Sequence, residues 1–180
     1  MNKKNKKILS FSHPKMDTKS ITWMAIIMAL QIILSKINIG PDFVKISPAF
    51  IMTALLGYYF GPWWGGLAGI CTDLIGHTFL GSGGTFFIGF TISAFIAPFL
   101  YGIVLYGYNV SWQRVIFSTF LVTLIHNLIL NTLWIILLYH LKLKIILPIR
   151  IIKNIISWIV ESIVLFFVLK IIEKRHLYIQ

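Results

Sequence analysis

Apolar runs long enough to cross a lipid bilayer dominate the sequence. Of its 180 residues, 58% are hydrophobic and only 12% are charged, about half of the roughly 25% found in soluble domains. A transmembrane helix needs about 20 predominantly apolar residues. The runs therefore predict an all-α integral membrane protein with six transmembrane helices, at Ser20–Ser35, Lys45–Phe60, Pro62–Gly76, Thr85–Tyr108, Arg114–Tyr139 and Pro148–Ile172.

Basic residues near both chain ends predict the orientation of these helices. The N-terminal segment, residues 1–19, is rich in lysine, and the tail at 174–180 begins with Lys174 and Arg175. The positive-inside rule places both segments in the cytoplasm, with a six-helix membrane domain at 20–173 between them. A net charge of +11 would suggest nucleic acid in a soluble protein. Here much of that charge flanks membrane spans, so the expected partner is the lipid bilayer and not nucleic acid.

Further cations fall on the predicted outer side, against the positive-inside rule. They flank the first and last outer loops, at Lys36, Lys45, Lys142, Lys144, Arg150 and Lys153. One interpretation is a cationic funnel that attracts an anionic ligand. The alternative is a set of lysines that snorkel from helix ends to the interface. We favour the funnel because other polar residues gather at the same depth.

Two of these polar groups surround the loop before the fourth predicted span. Asp73 lies near the outer end of the third span, and ionisable residues at membrane depth usually face a partner or a cavity. The glycine-rich loop that ends at Thr85 allows close backbone approach to a ligand. Phe87 and Phe90 follow at the start of the next span, where aromatic side chains commonly anchor or pack.

The fifth and sixth spans each carry one polar face. Asn127, Asn131 and Trp134 have helical spacing and combine amides with a flat indole, which suits a planar heterocycle. Amides that bond neighbouring helices are the alternative. The sixth span has a polar stripe at Arg150, Asn154, Ser157 and Glu161. For His126 and Glu161, which lie deeper, we favour a structural pairing over a proton relay.

Recognisable catalytic motifs are absent from the sequence. It has no GxxxxGK[ST] phosphate loop, so the chain is not expected to hydrolyse ATP. It has no HExxH or GxSxG motif, and a single cysteine without metal-ligand spacing. These observations predict a binding subunit rather than an enzyme, with no catalytic residues, no metal and no cofactor of its own.

Four segments carry a resemblance to a known family. They are GYYFGPWWGGLAGICTDLIG at 57–76, GFTISAF at 89–95, NTLW at 131–134, and the pair Arg150 and Lys153. The chain resembles the substrate-binding (S) components of energy-coupling factor (ECF) vitamin transporters, and the folate-specific members most closely. The similarity extends from about Ile21 to the sixth span, and Ala25 and Ala29 match the AxxxA docking motif of that family.

The resemblance implies a six-helix S-component fold in a bacterial plasma membrane, with high-affinity folate capture outside and release inside. It implies a transmembrane coupling (T) subunit and two ABC ATPase subunits that use ATP. The substrate-binding residues that it implies are Lys45, Asp73, Thr85, Phe87, Phe90, Asn131, Trp134, Arg150 and Lys153. The alternatives are an S component for another anionic vitamin or precursor, and a small stand-alone membrane transporter or enzyme.

Overall fold

The computed structural model describes residues 11, 14, 16–37, 47–80, 87–139 and 143–175. Within these residues the protein is all-helical. Its elements are α1 (Thr18–Ser35), α2 (Ala49–Leu80), α3 (Ile88–Leu105), α4 (Trp112–Val122), a π-helical segment (Thr123–Leu130), α5 (Asn131–Tyr139) and α6 (Leu143–Lys174). The π segment joins α4 to α5 without a break, so these elements make five helices. Among the described residues, four helical stretches are long and apolar enough to span a membrane: Thr18–Ser35, Ile88–Leu105, Trp112–Leu138 and Leu147–Lys174.

The predicted count of six helices is not confirmed, because the second and third predicted spans fall within the single element α2. This helix is nevertheless sharply broken where the sequence predicts a break. Gly61 has φ 76° and ψ −178°, a backbone conformation that glycine adopts readily. Pro62 follows and begins the next helical turn, where its missing N–H is tolerated.

The two arms of α2 fold back on each other at this break. A Cβ atom placed on Gly65 would lie 3.1 Å from the carbonyl oxygen of Leu56. In a straight helix, nine residues would separate these positions by about 13 Å. The predicted break at Gly61 and Pro62 therefore reverses the chain and gives two short antiparallel arms.

Three glycines bring the backbones of α2 and α3 into direct contact. We call Gly57, Gly69 and Gly102 the glycine seam. A Cβ on Gly57 would lie 2.5 Å from the carbonyl oxygen of Pro98, and one on Gly102 would lie 2.5 Å from the nitrogen of Pro62. A Cβ on Gly69 would overlap the carbonyl oxygen of Ala94. Small residues permit such close packing of membrane helices, so the seam fixes α3 against both arms of α2.

Helix α1 packs against α2 and leaves much of its apolar surface uncovered. Its N-terminus is capped by Asp17, whose Oδ1 accepts a hydrogen bond from the backbone N–H of Ser20 at 2.9 Å. Hydrogen bonds from Ser20 lower the pKa of this carboxyl. Along the helix, Ile21, Ile26 and Leu30 are exposed. Such a surface suits contact with lipid or with another membrane helix.

A polar pair joins α4 to α6 in the interior. The hydroxyl groups of Thr119 and Ser162 lie 2.7 Å apart, and both residues are buried. The indole Nε1 of Trp158 on α6 donates to the carbonyl oxygen of Ile116 at 3.3 Å. These contacts hold α6 beside α4 and leave the other face of α6 to line a cavity.

Candidate ligand-binding cavity

A polar cavity of about 520 Å³ lies between the helices, and α1, α2, α3, α6 and the composite helix of α4, the π segment and α5 all contribute to its wall. We call this space the polar cavity. Ligand sites commonly have volumes of about 300–1,000 Å³, so the volume of the polar cavity is suited to a small organic molecule.

Helix α6 supplies a polar wall with a cation near the start of the helix and a carboxylate deeper along it. Arg150, Asn154, Ser157 and Glu161, the stripe predicted from sequence, all line the polar cavity, together with Lys153. The last three members of the stripe are buried. The guanidinium Nη1 of Arg150 donates to the hydroxyl of Thr132 on α5 at 3.1 Å. This hydrogen bond orients the arginine fork across the helix interface.

The π segment shapes the opposite wall. The backbone N–H of Asn131 bonds to the carbonyl oxygen of His126, five residues earlier instead of four. In an α-helix, residues five apart point in different directions because the helix repeats every 3.6 residues. The wider turn allows both His126 and Asn131, together with Asn127, to line the polar cavity. A π segment of this kind is frequently found at functional sites.

The favoured pairing of His126 with Glu161 is not formed. The imidazole Nδ1 of His126 instead lies 2.9 Å from Oδ1 of its neighbour Asn127. Glu161 and His126 both line the polar cavity. The sequence places His126 and Glu161 at similar depth but cannot show which neighbour each side chain turns towards.

Asp73 lies on the wall of the polar cavity, and its carboxylate is already engaged. Its Oδ2 accepts a hydrogen bond from the hydroxyl of Thr91 on α3 at 2.7 Å. Its Oδ1 lies 3.7 Å from Nε2 of His77, one turn further along α2. Asp73 therefore links α2 to α3 and holds His77 beside the cavity.

The three predicted aromatic residues form a cluster at the edge of the polar cavity. The ring of Phe87 lies 5.8 Å from that of Phe90 and 5.6 Å from that of Trp134, both in edge-to-face arrangements. Of these three, Phe90 lines the cavity. Trp134 donates its indole N–H to the hydroxyl of Ser93 at 2.8 Å. It thereby orients a second residue of the cavity wall, while Phe87 packs behind Phe90.

The remaining predicted residues lie elsewhere. Lys45 and Thr85 fall outside the described residues, as does Lys142. Ala25 and Ala29, proposed from sequence as a docking motif, are exposed on α1. Both alanines therefore lie on an accessible helix surface.

Sequence reasoning missed several residues of the cavity wall. The side-chain N–H of Gln31 donates to the hydroxyl of Thr53 at 3.1 Å, and its Oε1 is buried without a hydrogen-bond partner. The hydroxyl of Tyr101 and the amide nitrogen of Asn154 are also buried and unpartnered. A single amide in the apolar run of α1 was the available signal for Gln31. Tyr101 carries no such signal, because tyrosine is common in membrane helices.

Comparison with known proteins identifies the family. The family model described as the substrate-specific component of ECF transporters matches residues 19–169. The chain belongs to this family. Family membership confirms the resemblance drawn from sequence, and with it the prediction of a transport component rather than an enzyme. It also confirms that this all-helical chain is a membrane protein.

Two curated relatives and one solved structure are similar to this chain over most of its length. The folate transporter FolT of Leuconostoc mesenteroides is 34% identical over 163 residues, which cover 87% of each chain. FolT of Clostridium novyi is 30% identical over 156 residues, covering 86% of this chain and 90% of the relative. A crystal structure of FolT bound with folic acid matches with a TM-score of 0.76 and 35% identity, covering 84% of this chain and 93% of the other.

Proposed function

We propose that this protein is the folate-binding subunit of an ECF-type ABC importer. The observation that carries the proposal is the polar cavity, which Arg150 and Lys153 line together with Asn131 and Phe90. Its relatives are named folate transporters, and the solved structure that it resembles is of FolT bound with folic acid. A ligand with flat rings and a dianionic tail suits such a combination of groups.

Each part of folate has a chemical counterpart in the proposed site. The glutamate tail carries two carboxylates, which the fork of Arg150 contacts in bidentate fashion and which Lys153 neutralises. The rings stack near Phe90 and bond to the amide of Asn131. Phe87 and Trp134 support this wall from behind, and Asp73 holds the architecture between α2 and α3. Lys45 and Thr85 complete the binding set that we infer from sequence.

Six membrane crossings remain our proposal for the topology. The two arms of α2 then count as two short spans, and the sharp reversal at Gly61 supports this division. An even number of crossings returns the C-terminus to the side of the lysine-rich N-terminus. The positive-inside rule makes that side cytoplasmic, in a bacterial plasma membrane.

Transport requires further subunits in this proposal. The chain has no phosphate loop, so ATP is used by two ABC ATPases that act through a T subunit. Ala25 and Ala29 are exposed one turn apart on α1 and provide the docking face for that subunit. The lack of side-chain bulk there allows a partner helix to approach closely.

Calorimetry with folic acid tests the ligand. The purified protein should bind folic acid without ATP, with a dissociation constant near or below micromolar, about −8 kcal/mol or better. An uncharged vitamin serves as the control and should give no binding heat. If the uncharged vitamin binds and folic acid does not, the protein is an S component for a different substrate.

Substitution of the two alanines tests the docking face. Ala25→Trp or Ala29→Trp should abolish assembly with the T subunit and folate uptake, while folate binding by the isolated protein is retained. Leu30→Trp is the matched control, because Leu30 is exposed on the same helix and already bulky. Intact assembly and uptake in both alanine variants would remove these residues from the interface.

A further inference from the structure

The deep end of the polar cavity contains polar groups that no protein atom satisfies. The deep end is the part of the polar cavity that is lined by Tyr101, Asn154, Ser157 and Glu161. The hydroxyl of Tyr101 and the amide nitrogen Nδ2 of Asn154 are buried and have no hydrogen-bond partner, and Tyr101 is only 1% exposed. Buried polar groups in proteins are nearly always hydrogen-bonded. Because both residues line the polar cavity, a ligand there can supply the missing partners.

Glu161 adds a carboxylate to the same end. The residue is 8% exposed, and its side chain lines the polar cavity. It differs from Asp73, the other carboxylate on the wall, whose oxygens are already contacted by Thr91 and His77. Glu161 is therefore the cavity carboxylate that is positioned to accept hydrogen bonds from a ligand.

The separation of charges along α6 gives the cavity a direction. Arg150 and Glu161 both line it and are eleven residues apart on one helix, or roughly 16 Å at 1.5 Å per residue. Arg150 lies towards the start of α6 and Glu161 lies deeper along the same wall, and Lys153 stands between them, where its charge interacts with both. An elongated ligand in this space has its anionic end beside the arginine and its other end beside the glutamate.

The chemistry of the deep end selects for a particular ring edge. A carboxylate accepts two parallel hydrogen bonds from a planar fork of donors. Next to it, the amide nitrogen of Asn154 can donate and the hydroxyl of Tyr101 can donate or accept. A 2-amino-4-oxopyrimidine presents a matching edge, in which an amino group and a ring N–H donate side by side and the neighbouring oxo group accepts.

We infer that the deep end of the polar cavity is a recognition site for the 2-amino-4-oxopyrimidine edge of the pterin, with Glu161 as acceptor for its two donors. This inference rests on the proposed function and deepens it. Asn154 and Tyr101 bond to the oxo group and to the neighbouring ring edge. The glutamate tail of the ligand then lies against Arg150 and Lys153.

Ligand editing combined with mutation tests the inference. Binding of folic acid and of its 2-deamino analogue is measured for the wild-type protein, Glu161→Gln and Arg150→Ala. The wild type should bind folic acid roughly tenfold to a hundredfold more tightly than the analogue, as expected for a charge-assisted hydrogen bond. In Glu161→Gln the ratio should fall towards one, because an amide NH2 replaces one of the two acceptor oxygens. In Arg150→Ala both ligands should weaken while their ratio stays as in the wild type.

Controls separate this result from a general structural effect. Ser162 is a buried polar residue next to Glu161, and its hydroxyl bonds to that of Thr119. Ser162→Ala should therefore leave the ratio unchanged. If Glu161→Gln shows no cooperative melting, Glu161→Asp is used in its place, since it keeps the charge but withdraws it by one methylene. An unchanged ratio in the glutamate variant, whether binding of both ligands is retained or is weakened equally, overturns the inference. Failure of the wild type to bind any folate overturns the proposed function instead.

Discussion

The glycine seam and the polar cavity show two opposite ways of packing helices in one small membrane protein. At the seam, Gly57, Gly69 and Gly102 bring α2 and α3 so close that no Cβ fits without displacing backbone. At the polar cavity, α3 and α6 instead line an open space of about 520 Å³. The cavity keeps the hydroxyl of Tyr101 and an amide nitrogen of Asn154 without protein partners.

The difference separates the residues that fold the protein from those that bind its ligand. Without a hydrophobic drive between helices in lipid, close van der Waals packing does much of the associating, and the seam supplies it. The seam thus stabilises an arrangement in which neighbouring helices enclose space. Substitutions at the seam should therefore change stability, and substitutions on the cavity wall should change affinity while the fold persists.

The largest effect is expected at the seam. Gly69→Val adds side-chain atoms where a single Cβ already overlaps the carbonyl oxygen of Ala94. Overpacking costs about 1–3 kcal/mol and at times more. Because the obstacle is backbone, we expect a loss of unfolding free energy at or above about 3 kcal/mol, measured by thermal unfolding in detergent.

Gly76→Ala is the matched control for that prediction. It lies on the same helix as Gly69, and no atom lies within 4 Å of a Cβ placed there. Alanine is favoured over glycine in a helix by roughly 0.8–1 kcal/mol, so this variant should be neutral or slightly stabilised. Equal destabilisation of both variants would show that the seam is not the feature that matters.

Local sequence signals predicted much of the seam side of the molecule. Hydropathy marks the membrane spans because each residue contributes independently of its neighbours. The break in α2 was predictable because Gly61 and Pro62 restrict the backbone at their own positions. The count of six helices was not confirmed, because the second and third predicted spans fall within the single element α2, which is broken at Gly61.

The cavity side was predicted less completely because it depends on contacts between distant segments. The stripe from Arg150 to Glu161 could be predicted, since spacing along one helix defines a face. The π segment could not, because one extra residue in a helical turn leaves no mark in composition. Nor could sequence show that Asn127 takes the imidazole of His126, or that Trp134 bonds to Ser93. Such choices are made by packing after the helices meet.

A smaller effect, confined to binding, is expected on the cavity wall. Arg150→Ala removes the guanidinium that we assign to the ligand tail. A hydrogen bond to a charged group contributes about 1.5–3 kcal/mol, so the dissociation constant for folic acid should rise roughly tenfold to a hundredfold. Lys170→Ala is the control on the same helix, since Lys170 is exposed and pairs with Glu173. Comparable losses in both variants would mean that Arg150 acts only through long-range charge.

The smallest effect concerns the contact that orients this arginine. In Thr132→Val a methyl group replaces the hydroxyl that accepts a hydrogen bond from Arg150 Nη1 at 3.1 Å, with little change in shape. A hydrogen bond contributes a net 0.5–1.5 kcal/mol or so, so folic acid should bind roughly threefold to tenfold more weakly. Thr132→Ser keeps the acceptor and should restore affinity.

A double-mutant cycle decides whether Thr132 acts through Arg150. If it does, Thr132→Val should have no further effect on affinity once Arg150 is alanine, because the group that it orients is gone. If the two losses add, Thr132 affects the ligand by another route, such as the spacing of α5 and α6. Thermal unfolding of the ligand-free variants supplies the second measurement. Thr132 is 3% exposed, and valine preserves its shape. A fall in stability that matches the fall in affinity would show that Thr132 acts through helix packing and not through the ligand.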